Sequence, residues 1–566
     1  MADLRLPWST VASGDWSWIL TLRVAGRDVR LTSGADVDVT SRTEGTLRYL
    51  SGLSTEGLAR TLDIFADGPS ERAASFAVAV SFDVAEAIEQ GHLLHGATGE
   101  LAQLWAGQDF DDRRRVLEGI LREPAYGDAD ELLTFTIRES LGEDRGRFWA
   151  PGEIVSRDTF PAGLPNSGIA GSEDVDGLWG NAYPIVIGSP GGGHVEDVGG
   201  VLTYFDVPAT PALLVEQQEP STGTATDYRL MVCRGVARDI GSKVEIVNAS
   251  AASSNFAGTM AVGIDRQGRD YTYVNPNGAP GIPAKSDNLW AIWIDRAAAV
   301  IESRSTQNPF DVGALRGAGD VIRWALGLST LRVDRSQLGR LAALNGFLVD
   351  TYLNDPTAAP WPWVRDTLLP LLPASAVFGP DGLYVAAWQY DATTADAVMH
   401  LEVGRNCSRS IDTLVTYGDE GAVFNEITLQ FALDASTGQF ARSKTLGAVW
   451  DDQAATVHHP SIWGRRSQQW FDKRSKTIPV PWAYDDATVE AIGQAMLRRE
   501  ALPPRRVAVT AGPEIEWLRP GDVVAFTDAA LSMTNRAAHV EAVASLETGQ
   551  VEVGLLLFDP LAFTDG

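Results

Sequence analysis

The chain has 566 residues, 45% of them hydrophobic and 21% charged, and its 74 acidic against 46 basic residues give a formal net charge of −28. That length exceeds what one core can organise, and that apolar content belongs to a folded protein, so a single small domain and a mostly disordered chain are both excluded. The acidity sets the surface against gripping nucleic acid, although a repulsive wall suits a conduit along which DNA slides without sticking. The 55 Gly and 29 Pro point to many turns and so to a β-rich architecture. Cys233 and Cys407 are the only cysteines, too few for a disulfide framework or a four-thiolate metal site, and they read as small buried hydrophobes. The opening MADLRLPWSTVASGDW lacks a basic region followed by an apolar core, and no apolar run reaches membrane-spanning length. A soluble protein folded in a reducing cytoplasm, with no stable membrane insertion, is expected.

In chain order, WSWILTLRVAGRDVRLT alternates Trp18, Leu20, Leu22 and Val24 on one face, then turns near Gly26 into Val29 and Leu31, which predicts a hairpin. SFAVAVSF repeats the period of two through Phe76, Val78, Val80 and Phe82, and DVAEAIEQG predicts a helix from Asp83 to Gly91. RRVLEGILREPAYGDADELLTFTIRES predicts two strands joined by a polar loop holding Gly127 and Asp128. From about Pro151 to Pro220 the chain is loop-rich, and short strands such as YRLMVCRGVA and NLWAIWIDRA follow in 228–300. Helical spacing begins near Asp311, with Val321, Trp324, Ala325 and Leu328 on one stripe and Leu338, Leu341 and Leu344 on another. A short helix in PWVRDTLLPLLP and a turn at Pro380-Asp381-Gly382 launching a strand come next. In VFNEITLQFAL, Ile427, Leu429, Phe431 and Leu433 alternate with Glu426, Thr428 and Gln430. Asp485 or Asp486 caps a helix with the face Val489, Ile492 and Met496, which Pro503-Pro504 ends. RRVAVTA, DVVAFTD, AAHVEAVAS and QVEVGLLLF read as closing strands. The domains expected are 1–150, 151–310, 311–400 and 401–566. Strand–helix–strand regions at both ends suggest a remote duplication with no residue-level repeat.

Each chemical motif has a plain structural reading. GSPGGGHVEDVGG lacks the Gly-Lys-Ser/Thr ending of a phosphate loop and no helical pattern follows it, so it reads as a loop. His92 and His95 are bracketed by Gly91 and Gly96, His458-His459 point apart, and His194, His400 and His539 stand alone, so no metal or cofactor is expected. There is no Gly-x-Ser-x-Gly elbow. The pairs Asp111-Asp112, Asp451-Asp452 and Asp485-Asp486 fall at loops or caps rather than facing one another as a glycosidase pair would, although the 17 Trp could supply sugar platforms. In EWLRPGDVVAFTD, Pro520-Gly521 sets a corner and Asp522 and Asp528 bracket a buried strand. No catalytic, cofactor-binding or metal residue is assigned, and the chain is not expected to be an enzyme.

The order GDVIRWALGLS, LLPLLPASAVFGPDGLYVAAW, VFNEITLQFALD, RSKTIPVPWAYDDATVEAIGQAMLRRE and PPRRVAVTAG…WLRPGDVVAFTD, over roughly residues 315 to 560, resembles the baseplate or tail-tip hub proteins of tailed bacteriophages, including the hubs of gene transfer agents. The resemblance implies a mainly β fold with α+β parts, in which two tail-tube-like β domains flank a helix-containing central domain. It implies a homotrimer presenting a pseudo-hexameric ring, a distal tail protein or tail tube above, and a central fibre, spike or receptor-binding assembly below. DNA would pass through an acidic lumen without specific binding, and the protein would assemble in the host bacterial cytoplasm and end in the virion tail tip. Some relatives bind an iron–sulfur cluster through cysteines, which the two distant cysteines here do not suit. The alternatives are a tail-associated acidic β-rich glycan hydrolase and a distal tail or tail-tube component.

Overall fold

The computed structural model describes residues 16–24, 27–55, 58–61, 73–79, 97–126, 132–138, 144–150, 152–156, 180–188, 190, 194–198, 201–205, 210–218, 227–236, 243–247, 256–265, 267–276, 289–293, 315–379, 381–389, 392–409, 416–417, 423–434, 438–447, 459–460, 467–468, 470–502, 505–545 and 550–557. They form a mainly β protein of several sheets with few helices. The expected helix at 83–91, Val80, Phe82, the loop at Gly127, residues 189, 191–193 and 199–200 of the 188–200 loop, and Pro503-Pro504 lie outside them.

The N-terminal hairpin forms as its alternation demands. Trp16–Val24 pairs antiparallel with Arg27–Thr32, setting Leu20 opposite Leu31 and Leu22 opposite Val29. Trp18, Leu20, Leu22 and Val24 join Val29 and Leu31 in one core. The opposite face is buried as well, where Ile19 packs with Val39, Leu47, Tyr49 and Phe110. The hairpin sits inside a nine-stranded sheet in the order 37–41, 45–51, 27–32, 16–24, 98–105, 114–126, 132–138, 73–79, 53–55. Strands 210–218, 227–234, 270–276, 256–264, 243–247 and 289–293 close into a separate six-stranded barrel.

The central core draws on residues from Phe148 to Ala501. Helix Ala318–Leu328 buries Ala318, Val321, Ile322, Ala325 and Leu326. The stripe is therefore rotated from the expected one, because Leu328 at the last turn is exposed. Leu338, Leu341 and Leu344 share a face because Leu338–Leu344 is a 3₁₀ helix, whose period of three eclipses positions i and i+3. The aromatic rings of Trp324 and Trp363 meet Phe148 at 5.3 and 5.6 Å between centroids. Glu426–Asp434 pairs with Gln439–Gly447 and, in parallel, with Ser475–Val480. Glu426 is buried rather than solvated, held by Lys473 Nζ at 2.7 Å and Ser475 Oγ at 2.7 Å. Ala432 adopts φ +57° and its N–H turns to Ala483 O, which interrupts the alternation before Leu433. Helix Asp486–Glu500 is capped by Asp485, whose side chain accepts from Thr488 N. It buries Val489, Ile492 and Met496 as expected.

Two sets of four strands share one topology. In the N-terminal sheet the order 98–105, 114–126, 132–138, 73–79 is antiparallel throughout. In the eight-stranded C-terminal sheet the order 523–528, 533–545, 551–557, 505–511 repeats it. The strand lengths run 8, 13, 7 and 7 in the first set and 6, 13, 7 and 7 in the second. A 3₁₀ turn joins the first two strands in each, at Phe110–Asp112 and Ala529–Leu531, and each is capped by an aspartate, Asp109 and Asp528. The outer neighbours differ: Trp16–Val24 lies antiparallel on 98–105, whereas His400–Glu402 lies parallel on 523–528. Strand Leu58–Thr61, two residues beyond the N-terminal sheet's Leu53–Thr55, crosses to the C-terminal sheet and pairs with 542–545.

Gly319 sits where a Cβ would lie 1.8 Å from Leu341 O, while Gly327 in the same helix has open space around it. We predict that Gly319→Ala lowers stability by about 1–3 kcal/mol through forced separation of the two helices. Gly327→Ala raises it by roughly 0.5–1 kcal/mol through helix propensity alone. Calorimetric midpoints that move in the same direction for both would refute this account of the helix packing.

Candidate functional site

Residues 516–528 hold the C-terminal sheet against the central unit. Gly521 has φ +91°, and a Cβ there would meet the Ala386 side chain at 2.7 Å, so the corner needs glycine for both conformation and space. Its N–H donates to Val540 O, and Val540 N donates to Asp522 O. The corner is thus a ladder end that also presses on strand Gly382–Ala387 of the central unit.

Both acids of this stretch are buried, which requires partners. Asp522 accepts from Arg340 Nη1 at 2.7 Å and from Arg519 N at 2.9 Å. Asp528 accepts from Arg409 Nε and Nη2, both at 2.6 Å, and from Ala530 N at 3.0 Å. The Arg409 hydrogen bond, against burial, holds the Asp528 carboxyl below its ordinary value. Arg519 reaches the other way, to Asp334 and, at 3.3 Å, to Asp381. Burial opposes its charge, yet Asp334 outweighs that and keeps the guanidinium above its usual value. Tyr384 lies beneath it, 6.0 Å from the guanidinium, and donates its hydroxyl to Pro520 O at 3.2 Å. The acids do end the strand as turn chemistry suggests, and in addition each anchors an arginine from a distant part of the chain.

The same device recurs at other joints. Asp350 accepts Arg316 Nε and Nη2 at 2.8 and 3.0 Å, and Gly188, φ +64°, lets the backbone approach where a Cβ would lie 2.4 Å from Asp350 Oδ1. That residue opens the glycine-rich stretch, so its first glycine serves packing; strand His194–Val198 lies within the stretch, and strand Val201–Phe205 rather than a helix follows it. Asp265 accepts Arg269 Nε and Tyr183 OH at 2.8 and 2.9 Å, tying the barrel to the chain that leads into it. Asp144 accepts from Thr330 N, Trp361 N and Gly146 N. Burial opposes its charge, but these backbone donors overcome it and lower the carboxyl pKa.

His539 stands where three elements meet. Its ring lies 5.1 Å from Trp388, its Nε2–H donates to Gln389 O at 3.1 Å, and Arg498 of the 486–500 helix faces it. Burial, with the Arg498 charge, pushes it down to about 4 despite the Gln389 bond. His400 meets Thr527 Oγ1 at 2.8 Å at the surface, His194 and His459 lie in strands, and His92, His95 and His458 are outside the described residues. Both cysteines are buried, and burial raises Cys407 to about 11, as an unreactive thiol requires. Asp111 accepts Ser41 and Thr43 hydroxyls, and Asp112 pairs with Arg42 at 2.5 Å, so this acid pair organises a turn. Asp451-Asp452 lies outside the described residues. Beside Asp111, a polar depression of about 340 Å³ on the N-terminal sheet carries both signs of charge, with Glu100 pairing Arg113 at 2.5 Å and Arg115 at 3.5 Å. Among the described residues no helix is long and apolar enough to cross a membrane.

A mainly β, multi-sheet protein whose joints are arginine–carboxylate clasps is the class these features define. Residues 448–543, which include helix 486–500 and the corner at Gly521, match a family described as putative phage tail protein. A comparison with curated proteins found no match. Among solved structures, the 43 kDa tail protein of prophage MuSo2 from Shewanella oneidensis is similar at 9% identity and TM-score 0.32, over 96% of this chain and 98% of that one. A chain of a native gene transfer agent virion is similar at 12% identity and TM-score 0.36, over 63% of this chain and 85% of that one. The prophage tail protein gp18 from Listeria monocytogenes EGD-e follows at 8% identity and TM-score 0.28, over 93% and 96%.

Two measurements test the clasp. A double-mutant cycle on Asp522→Asn and Arg340→Met is predicted to give a coupling of about 0.5–3 kcal/mol, and additive losses would mean that the pair contributes nothing. For His539, the folded-state value of about 4 lies below the ordinary 6.5, so the unfolded chain takes the proton first. Its contribution is full above about pH 6.5 and is lost as pH falls toward 4, on the order of 3 kcal/mol in all. His539→Gln should flatten that stretch of the stability–pH curve, and an unchanged slope would contradict the assignment.

Proposed function

We propose that the chain is a structural hub of a phage or phage-like tail tip or baseplate, acting as a homotrimeric ring. The observation that carries the reading is the repeated strand order with its matching lengths and its Asp-capped 3₁₀ turn, which gives each copy two equivalent β units. Three copies would then offer six such units to a hexameric distal tail protein or tail tube, while a central fibre, spike or receptor-binding assembly attaches below. The phage tail family match over 448–543 supports placing the chain in a tail.

Charge supports the conduit. Among the described residues the buried carboxylates Asp265, Asp334, Asp350, Asp522 and Asp528 are each met by an arginine and add no net charge to the interior, which supports assigning much of the excess of 28 negative charges to the surface. A ring lined with part of that excess would repel the DNA backbone and let it slide. Work of this kind is mechanical and needs no catalytic centre. Light scattering and negative-stain microscopy on one purified sample test the reading. The expected result is a threefold ring with a central hole; a sixfold ring would instead favour a distal tail or tube component.

A further inference from the structure

We propose that the free edge of residues 123–126 is the pairing site for a β-strand from a second copy of this chain. The inference rests on the ring reading and names the contact that would close the ring.

The argument starts from strand length. In the C-terminal sheet, 533–545 is longer than either neighbour. Strand 523–528 pairs along Met533 to His539, and strand 551–557 pairs along His539 to Ser545. Residues 542–545 would therefore show bare backbone on the side that 523–528 has left, and Leu58–Thr61 of the N-terminal unit fills that edge. The N-terminal sheet has the same overhang. Strand 98–105 pairs along Arg114 to Ile120, and 132–138 pairs along Ile120 to Tyr126. The last bond before the short strand departs falls at matching positions, Val540 N to Asp522 O and Leu121 N to Ala97 O, each at 2.8 Å. Setting Met533 against Arg114, residues 542–545 correspond to 123–126. Among the described residues no strand pairs with 123–126 on that side.

An uncovered edge is a template for another strand. In one copy, the N-terminal unit gives a strand to the C-terminal unit. Repeated head to tail, the C-terminal unit of one copy gives a strand to the N-terminal unit of the next, and such heterologous contacts close into a ring when the rotation allows it. A second copy is therefore the occupant that the observed contact specifies.

Hydrogen exchange on the full-length protein, in its ring and monomer fractions, tests this. The amides of 123–126 that face this edge rather than 132–138, Pro124 supplying none, are expected to exchange about tenfold or more slowly in the ring than in the monomer. Those of 542–545, paired within one copy, serve as the control and should be slow in both. A ring with 123–126 equally fast in both states overturns the edge proposal and leaves the ring reading standing. Equal slowness in both states also overturns it, because the edge would already be closed within one copy. A chain that forms no ring, alone or in isolated tail particles, overturns both.

Discussion

A thirteen-residue strand cannot be covered by neighbours of six or seven, and this mismatch organises the molecule. Every backbone N–H and C=O on the overhang needs a partner, in protein or in water. At 542–545 the partner comes from nearly five hundred residues earlier in the chain, through a strand only four residues long. The N-terminal and C-terminal sheets are thereby joined by main-chain hydrogen bonds as well as by side-chain packing. Main-chain pairing fixes register and direction together, which side-chain contacts alone do less strictly.

Around that joint, buried carboxylates paired with partly exposed arginines connect the units. Their net stabilisation is modest because desolvation offsets most of the attraction, whereas loss of one member leaves a charge buried without a partner. Such pairs are better at excluding wrong arrangements than at adding stability. Arg519 reaches Asp334 and Asp381 in the central unit, and Arg340 of that unit reaches back to Asp522. Two reciprocal contacts across one joint resist rotation in a way that one would not.

Local structure was legible in the sequence where one short segment decides it. The hairpin at Trp16–Thr32, the cap at Asp485 and the corner at Pro520-Gly521 follow from alternation, side-chain capping and turn chemistry. Leu328 was misplaced because a stripe of helical spacing does not say which side of the helix end meets the core. The burial of Glu426 could not be read from the alternation, which assigns faces but not what covers them. The partners of the acids were not readable at all: Arg340 lies 182 residues from Asp522 and Arg409 119 from Asp528, and nothing in either segment marks the pair. LART at 58–61 is too short to carry a period, so the crossing strand leaves no trace in composition or pattern.

The topology shared by the two sheets illustrates the same limit from the other side. No residue-level repeat relates 73–138 to 505–557, yet order, direction, length and the capped 3₁₀ turn recur. What is shared is the set of constraints that a twisted antiparallel sheet imposes on its turns and overhangs, and many sequences satisfy those. Asp109 and Asp528 are the clearest common residue, because a 3₁₀ turn leaving a strand exposes N–H groups that a short acceptor side chain can take. Asp528 also pairs with Arg409 and is buried, while Asp109 has Arg42 at 3.6 Å and is nearer the surface. One turn element thus serves as punctuation in the first unit and as an anchor in the second. The two units are alike in topology and different in what they are tied to, so that one strand order serves two different sets of neighbours.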